Sequence, residues 1–160
     1  MEYQININYQ FSAENENEAK DKASQYVSSN LTVKPIPEGV YNPAQVAEKC
    51  KSFRKAKKEH FCVFFLDTQN RILGKETVSI GTLNISLIHP RECFRTAILK
   101  TAASVIFVHN HPSGGLEPSA EDLNVTKRLK DAGKLLGIEV LDHVIVTAES
   151  YVSLRDENLI

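Results

Sequence analysis

His109-Asn110-His111-Pro112-Ser113-Gly114-Gly115-Leu116-Glu117-Pro118-Ser119-Ala120-Glu121-Asp122 is the stretch on which both the fold and the chemistry of this chain turn. It follows the largely apolar run Ser104-Val105-Ile106-Phe107-Val108, and if that strand continues, residues two apart point to one side. His109 and His111 then face a common point. Pro112 to Gly115 must break the strand and turn the chain, and Pro118-Ser119 starts a helix with Asp122 one turn in. That brings a carboxylate back toward the imidazoles. Two histidines and one carboxylate fill three positions of a tetrahedral zinc ion and leave the fourth for water, as catalytic rather than structural zinc sites do.

Each piece has a plainer reading. Two histidines near a strand end are more often hydrogen-bonded core or surface residues than ligands, and Ser119-x-x-Asp122 also reads as a capping box that satisfies helix N-terminal amides. The pattern gains specificity from its combination, with Gly114 and Gly115 in the turn able to let backbone approach a ligand.

Outward from this stretch, the chain reads as a mixed α/β sheet flanked by helices rather than a regular doubly wound fold. Downstream, a helix from Ser119 to about Leu136 ends near Gly137, and strands follow at Val140 to Val146 and Tyr151 to Leu154. Upstream, His89-Pro90 starts a helix through about Ala102, preceded by a strand in which Leu83, Ile85 and Leu87 alternate with polar residues. Phe61 to Leu66 is a wholly apolar central strand, and Asp67-Thr68-Gln69-Asn70 turns it into a hairpin with a strand around Arg71 to Ile80. Asn42-Pro43 opens a helix to about Lys58, with Val46, Cys50 and Phe53 on one side and Lys51, Arg54, Lys55 and Lys58 on another. Those cations form either a solvated face or a patch for nucleic acid or an acidic partner.

The N-terminal part reads as an appendage. Tyr3, Ile5, Ile7, Tyr9 and Phe11 share one face of a period-two strand, and Ser12 caps a helix to about Val27. A linker with Pro35, Pro37 and Gly39 follows between Ser28 and Asn42. Residues 1–34 are thus an N-terminal βα appendage and linker, and residues 35–160 the main domain.

Composition limits the function classes. The chain of 160 residues suits one domain, and 19 Lys and Arg against 20 Asp and Glu give it no overall bias toward nucleic acid or anionic membrane. Cys50, Cys62 and Cys93 are three cysteines without Cys-x-x-Cys spacing, which suits a reducing compartment and a cytoplasmic location. No signal segment or membrane-spanning run is expected, and the cysteines read as small core residues.

His109-x-His111, Ser119 and Asp122 at this spacing resemble the motif of the JAMM (MPN) metalloprotease superfamily. His-Asn-His-Pro-Ser-Gly, Pro118-Ser119-x-x-Asp122, Gly81-Thr82, Pro90-Arg91-Glu92 and Leu141-Asp142-His143 are similar to the RadC-like branch, over roughly residues 43 to 156. The resemblance implies the JAMM/MPN, cytidine deaminase-like layering and assigns zinc to His109, His111 and Asp122. It also implies that Ser119 stabilises the oxyanion and that an upstream glutamate serves as acid and base. Glu59, directly before His60-Phe61-Cys62-Val63, fits the glutamate's place, with Glu76 and Glu92 as rivals. Zinc lowers the pKa of a bound water to about 7, and a carboxylate can take its proton and deliver it to a leaving amine.

The leading expectation is therefore a zinc-dependent peptidase or isopeptidase acting on a peptide or protein substrate. A metal-dependent nuclease, or a DNA-associated protein linked to DNA repair or mobile elements, is the alternative, with Lys51, Arg54, Lys55 and Lys58 as its contact. A non-catalytic interaction module is the third. Nothing in the chain resembles the insertions with which ubiquitin-directed relatives grip their substrates. Asp142 and His143 read as a buried, hydrogen-bonded pair in a strand, with a carboxylate–imidazole arrangement behind the metal as the sharper option. The residues leave the oligomeric state open.

Overall fold

The computed structural model describes residues 14–30, 39–40, 42–81 and 88–160. They belong to two units, Met1–Pro37 and Glu38–Ile160. In the first, a helix, α1, spans Glu16–Asn30. It starts later than expected, because the Asn15 side chain caps it by accepting from the Glu18 amide at 2.9 Å. Pairs of Glu16 with Lys20 and Glu18 with Lys22 brace its exposed face. The expected strand over residues 3–11 and Ser12 lie outside the described residues, as do 31–38 of the expected linker.

The second unit is built on a five-stranded sheet. Its strands are β1 (Glu59–Leu66), β2 (Ile72–Gly81), β3 (Ser104–Asn110), β4 (Glu139–Val146) and β5 (Tyr151–Ser153), in spatial order β2-β1-β3-β4-β5. β1 runs antiparallel to both β2 and β3, whereas β3 and β4 are parallel. The mixed sheet expected from the sequence is thus present. The β1–β2 hairpin forms because Asp67 accepts the Gln69 and Arg71 amides, closing the turn. The expected strand at Leu83 to Leu87 lies outside the described residues.

Both sheet faces are covered, which explains why β1 is continuously apolar rather than alternating. Phe61, Val63, Phe65, Val105 and Phe107 pack against α4 (Pro90–Leu99) and α5 (Ala120–Leu136) through Phe94, Ala97, Val125 and Leu129. Cys62, Phe64, Leu66, Ile106 and Val108 face the other way, toward Val46, Ala47, Cys50 and Phe53. α5 returns the chain from β3 to the parallel β4, the crossover that a parallel pair requires. Gly137 ends it in the left-handed region at φ 69°, where a residue without Cβ is unstrained.

In this second unit two helices differ from expectation. The helix expected from Asn42 to about Lys58 is split into α2 (Pro43–Glu48) and α3 (Lys51–Arg54), with Asn42 capping the first through the Gln45 amide. At the break the Cys50 amide bonds Ala47 three residues back, and beyond Arg54 the Asn110 side chain donates to the Ala56 and Lys58 carbonyls. Even in a helix reaching Lys58 the Ala56 and Lys58 carbonyls would lack intrahelical partners, and here Asn110 supplies them. α4 stops at Leu99 rather than Ala102 because Thr101 turns left-handed and the Ala102 amide reaches back to Ala97.

The break also divides the four cations. Arg54 donates to the Thr147 and Ser150 carbonyls at 2.7 and 3.0 Å, and Lys51 pairs with Glu48. Lys55 and Lys58 stay exposed. Among the described residues no helix is long and apolar enough to cross a membrane.

Candidate metal centre

β3, buried along its whole length, carries His109 to the end of the sheet on the face covered by α5. His111 continues the strand direction, its amide bonded to the Val146 carbonyl at 2.9 Å. The chain then turns at Gly114, where φ is 84°, and α5 begins at Ala120 with Ser119 as its cap. Asp122 lies in that first helical turn, so the crossover helix delivers its carboxylate back to the histidines. His109 and Asp122 are 0 % and 1 % exposed, which places this polar group inside the protein.

The contacts define one convergence point. His109 Nε2 is 2.9 Å from His111 Nε2 and 3.2 Å from Asp122 Oδ1, and His111 Nε2 is 3.5 Å from Asp122 Oδ2. Ligand atoms around a tetrahedral metal with bonds of about 2.0 to 2.1 Å stand about 3.3 Å apart, so the spacing fits a shared ion. Asp122 Oδ1 is buried and without a hydrogen-bond partner, a costly state that a cation would relieve. Among the described residues these three side chains form the group able to hold a metal.

Hydrogen bonds orient the ring nitrogens. His111 Nδ1 lies 2.8 Å from the Gly115 carbonyl, which only accepts, so Nδ1 carries the proton and Nε2 presents its lone pair. Gly115 thus orients the His111 ring through its carbonyl. Hydrogen bonding to Asp122 raises the His111 pKa above its ordinary value, against the opposing effect of burial. Burial pushes Asp122 upward, but the adjacent His109 and His111 rings and the Ser119 hydroxyl outweigh it and hold the carboxylate well below its ordinary range.

Ser119 and Asp122 form a full capping box. The Ser119 hydroxyl donates to Asp122 Oδ2 at 2.7 Å and accepts from the Asp122 amide at 3.1 Å, while the Ser119 amide donates to Oδ2. The capping reading of this pair is therefore realised in the same atoms that approach the histidines. Glu59 starts β1, two residues before Phe61, which pairs with His109. Residues two apart share a face, so Glu59, Phe61 and His109 lie on one side of the sheet. The Glu59 charge contributes to the upward shift at His111. Glu76 pairs with Val63, roughly 13 Å along the strand from Glu59, and Glu92 is exposed on α4 against Arg91.

The structure adds two residues to the group. His143 Nε2 lies 2.8 Å from His109 Nδ1, and its Nδ1 lies 2.5 Å from the Thr126 hydroxyl. The expected buried, hydrogen-bonded pair of Asp142 and His143 is present, made through the His143 backbone amide, and Asp142 also accepts the Ser153 hydroxyl. The signal for Thr126 was in the sequence, since it stands four residues after Asp122 on one helix face. Nothing local marked His143 as the partner of a histidine 34 residues away.

A buried His-His-Asp group, set where a central strand meets the start of its crossover helix in a layered α/β domain, defines the JAB/MPN class. The chain belongs to the RadC-like JAB domain family, whose model matches residues 40–159. It is 56% identical over 107 residues to a UPF0758 protein of Methanosarcina acetivorans, covering 67% of this chain and 47% of the relative. A UPF0758 protein of Desulfitobacterium hafniense is 45% identical over 135 residues, covering 84% of this chain and 58% of the relative. One from Geobacillus thermodenitrificans is 47% identical over 110 residues, covering 69% and 49%. The chain therefore spans about half the length of the curated relatives it matches.

Proposed function

We propose that this protein is a zinc-dependent hydrolase of the RadC-like JAMM type that cleaves peptide or isopeptide amide bonds. The observation that carries this reading is the convergence of His109 Nε2, His111 Nε2 and the unpartnered, buried Asp122 Oδ1. A metal held by two imidazoles and a carboxylate supplies Lewis acidity and an activated water at neutral pH. Imidazole and carboxylate ligands suit zinc, and the donor set supports it.

The chain's own residues take the remaining roles. Glu59, on the His109 face of the sheet, accepts a proton from the attacking water and passes it to the leaving nitrogen. Ser119 donates a hydrogen bond from its hydroxyl to the carbonyl oxygen as negative charge develops there. That role requires the proton now directed at Asp122 Oδ2 to turn toward substrate. His111 is held for binding by the Gly115 carbonyl.

The test is metal content per chain for the wild type, His109→Ala and Asp122→Ala, followed by zinc-dependent cleavage of peptide and isopeptide libraries. About one zinc in the wild type, little in either variant and cleavage lost in Glu59→Gln with zinc retained are the expected results. Removing one general base typically costs about 10²- to 10⁴-fold in rate. Absence of metal after zinc is supplied would end this reading. Cleavage of DNA instead of amides would replace the substrate class with phosphodiesters, the role in which Lys55 and Lys58 remain exposed.

A further inference from the structure

We infer that Thr126 and His143 are positioning residues that fix the proton arrangement of His109, so that its Nε2 lone pair is presented to the metal. The inference rests on the proposed metal site and follows from counting protons along one buried chain. The Thr126 hydroxyl has one proton and lies 2.6 Å from the Asp122 carbonyl, which can only accept. That proton therefore goes to the carbonyl. The hydroxyl oxygen must then accept from His143 Nδ1, which stands 2.5 Å away. A neutral His143 protonated on Nδ1 has a lone pair on Nε2, and this atom is 2.8 Å from His109 Nδ1. His109 accordingly carries its proton on Nδ1 and leaves Nε2 free. The opposite order would place two oxygens without a proton between them at the Thr126–Asp122 contact.

The surroundings keep this order in place. His109, Thr126 and His143 are each 0 % exposed, so water cannot supply a competing donor or acceptor. A second proton on Nε2 would leave a charged ring wholly cut off from water, a burial that chains avoid, so Nε2 keeps its lone pair and accepts. Phe61 and Phe107 both meet the His143 ring edge-on, at 5.5 and 6.2 Å between centroids, and restrict its rotation. The chain starts at the backbone carbonyl of one proposed ligand, Asp122, and ends on the ring of another, His109. Placement of the carboxylate by α5 and orientation of the imidazole by β4 are thereby tied through a single hydroxyl.

Thr126→Val removes that hydroxyl while keeping the side-chain volume, and Thr126→Ser keeps the hydroxyl. In metal-free wild-type protein, ring ¹⁵N shifts assigned with His109→Gln should report His109 protonated on Nδ1. Thr126→Val should mix the tautomers and weaken zinc, read by chelator competition, about 10- to 100-fold, the usual effect of losing a partner behind a metal ligand. Thr126→Ser should restore both. A wild-type His109 protonated on Nε2 overturns the inference whether or not any variant folds. So does a folded Thr126→Val protein with wild-type shifts and affinity, and in that case zinc binding still supports the metal site. If the wild type shows the Nδ1 proton and the valine variant loses it, yet neither takes up zinc, the proton order stands and the metal reading fails.

Discussion

Gly133→Ala tests the seating of α5, the helix that carries both Asp122 and Thr126. A Cβ built on Gly133 would stand 2.6 Å from the Ile138 carbonyl oxygen, 3.1 Å from Val140 Cγ2 and 3.2 Å from Phe94 Cζ, where ordinary van der Waals contact begins at 3.4 Å. The closest of these atoms is backbone, at the point where the chain leaves Gly137 for β4. It is anchored, since the Ile138 amide bonds the Gly133 carbonyl at 2.9 Å. A side-chain rotation therefore cannot relieve the contact, and α5 must move away from β4 and α4. Alanine gains about 1 kcal/mol over glycine in a helix interior. Overpacking a tight core contact typically costs about 1 to 3 kcal/mol, and a backbone clash belongs at or above the upper end. The net loss should be about 2 kcal/mol or more, lowering the melting temperature by at least about 4 to 8 °C for a chain of this size. Circular dichroism melts of the metal-free protein read it directly. A variant that melts at or above the wild-type temperature would refute the close approach of the last turns of α5 to β4.

Two shorter predictions concern titration. Burial pushes the Cys50 and Cys93 thiols up to about 12 and raises Cys62, so alkylation at pH 8 should leave all three unmodified in the native protein and modify all three after denaturation; labelling of the folded state would contradict their burial. If zinc binds as proposed, it must displace the proton from His111, whose pKa in the metal-free protein is raised, while Asp122 stays ionised because its own is depressed. Affinity should therefore begin to fall already above the ordinary histidine value of about 6.5 and then decline about tenfold per pH unit. Calorimetry at a series of pH values checks this, and an affinity flat down to pH 5 would contradict it.

What could be read from the sequence was what neighbouring residues decide. α5 runs within a residue of its expected limits because Ser119 and Gly137 are local signals, a side chain that caps three residues on and a backbone without Cβ. β1 and the hairpin were equally legible from the apolar run and the Asp67 turn. The expected Asn42 helix is interrupted where the Cys50 amide bonds Ala47 three residues back, a tightening that no proline or glycine in the sequence marks. The convergence of His109, His111 and Asp122 was legible because one turn and its flanks contain all three. His143 was not, because only the parallel pairing of β3 with β4 sets it beside His109. Its sequence neighbour Asp142 bonds the backbone amide as expected and leaves the ring to His109 and Thr126.

The residue between the two histidines is more than a spacer. Asn110 points to the opposite face of the sheet, accepts the His60 amide at 2.7 Å and donates to Ala56 and Lys58 on the segment that leads into Glu59. To an engineer moving this centre into another sheet, the portable unit is consequently His-Asn-His together with the strand that its middle residue holds. Grafted without that clamp, the two imidazoles would keep their mutual spacing while the position of the carboxylate at the start of the neighbouring strand drifted.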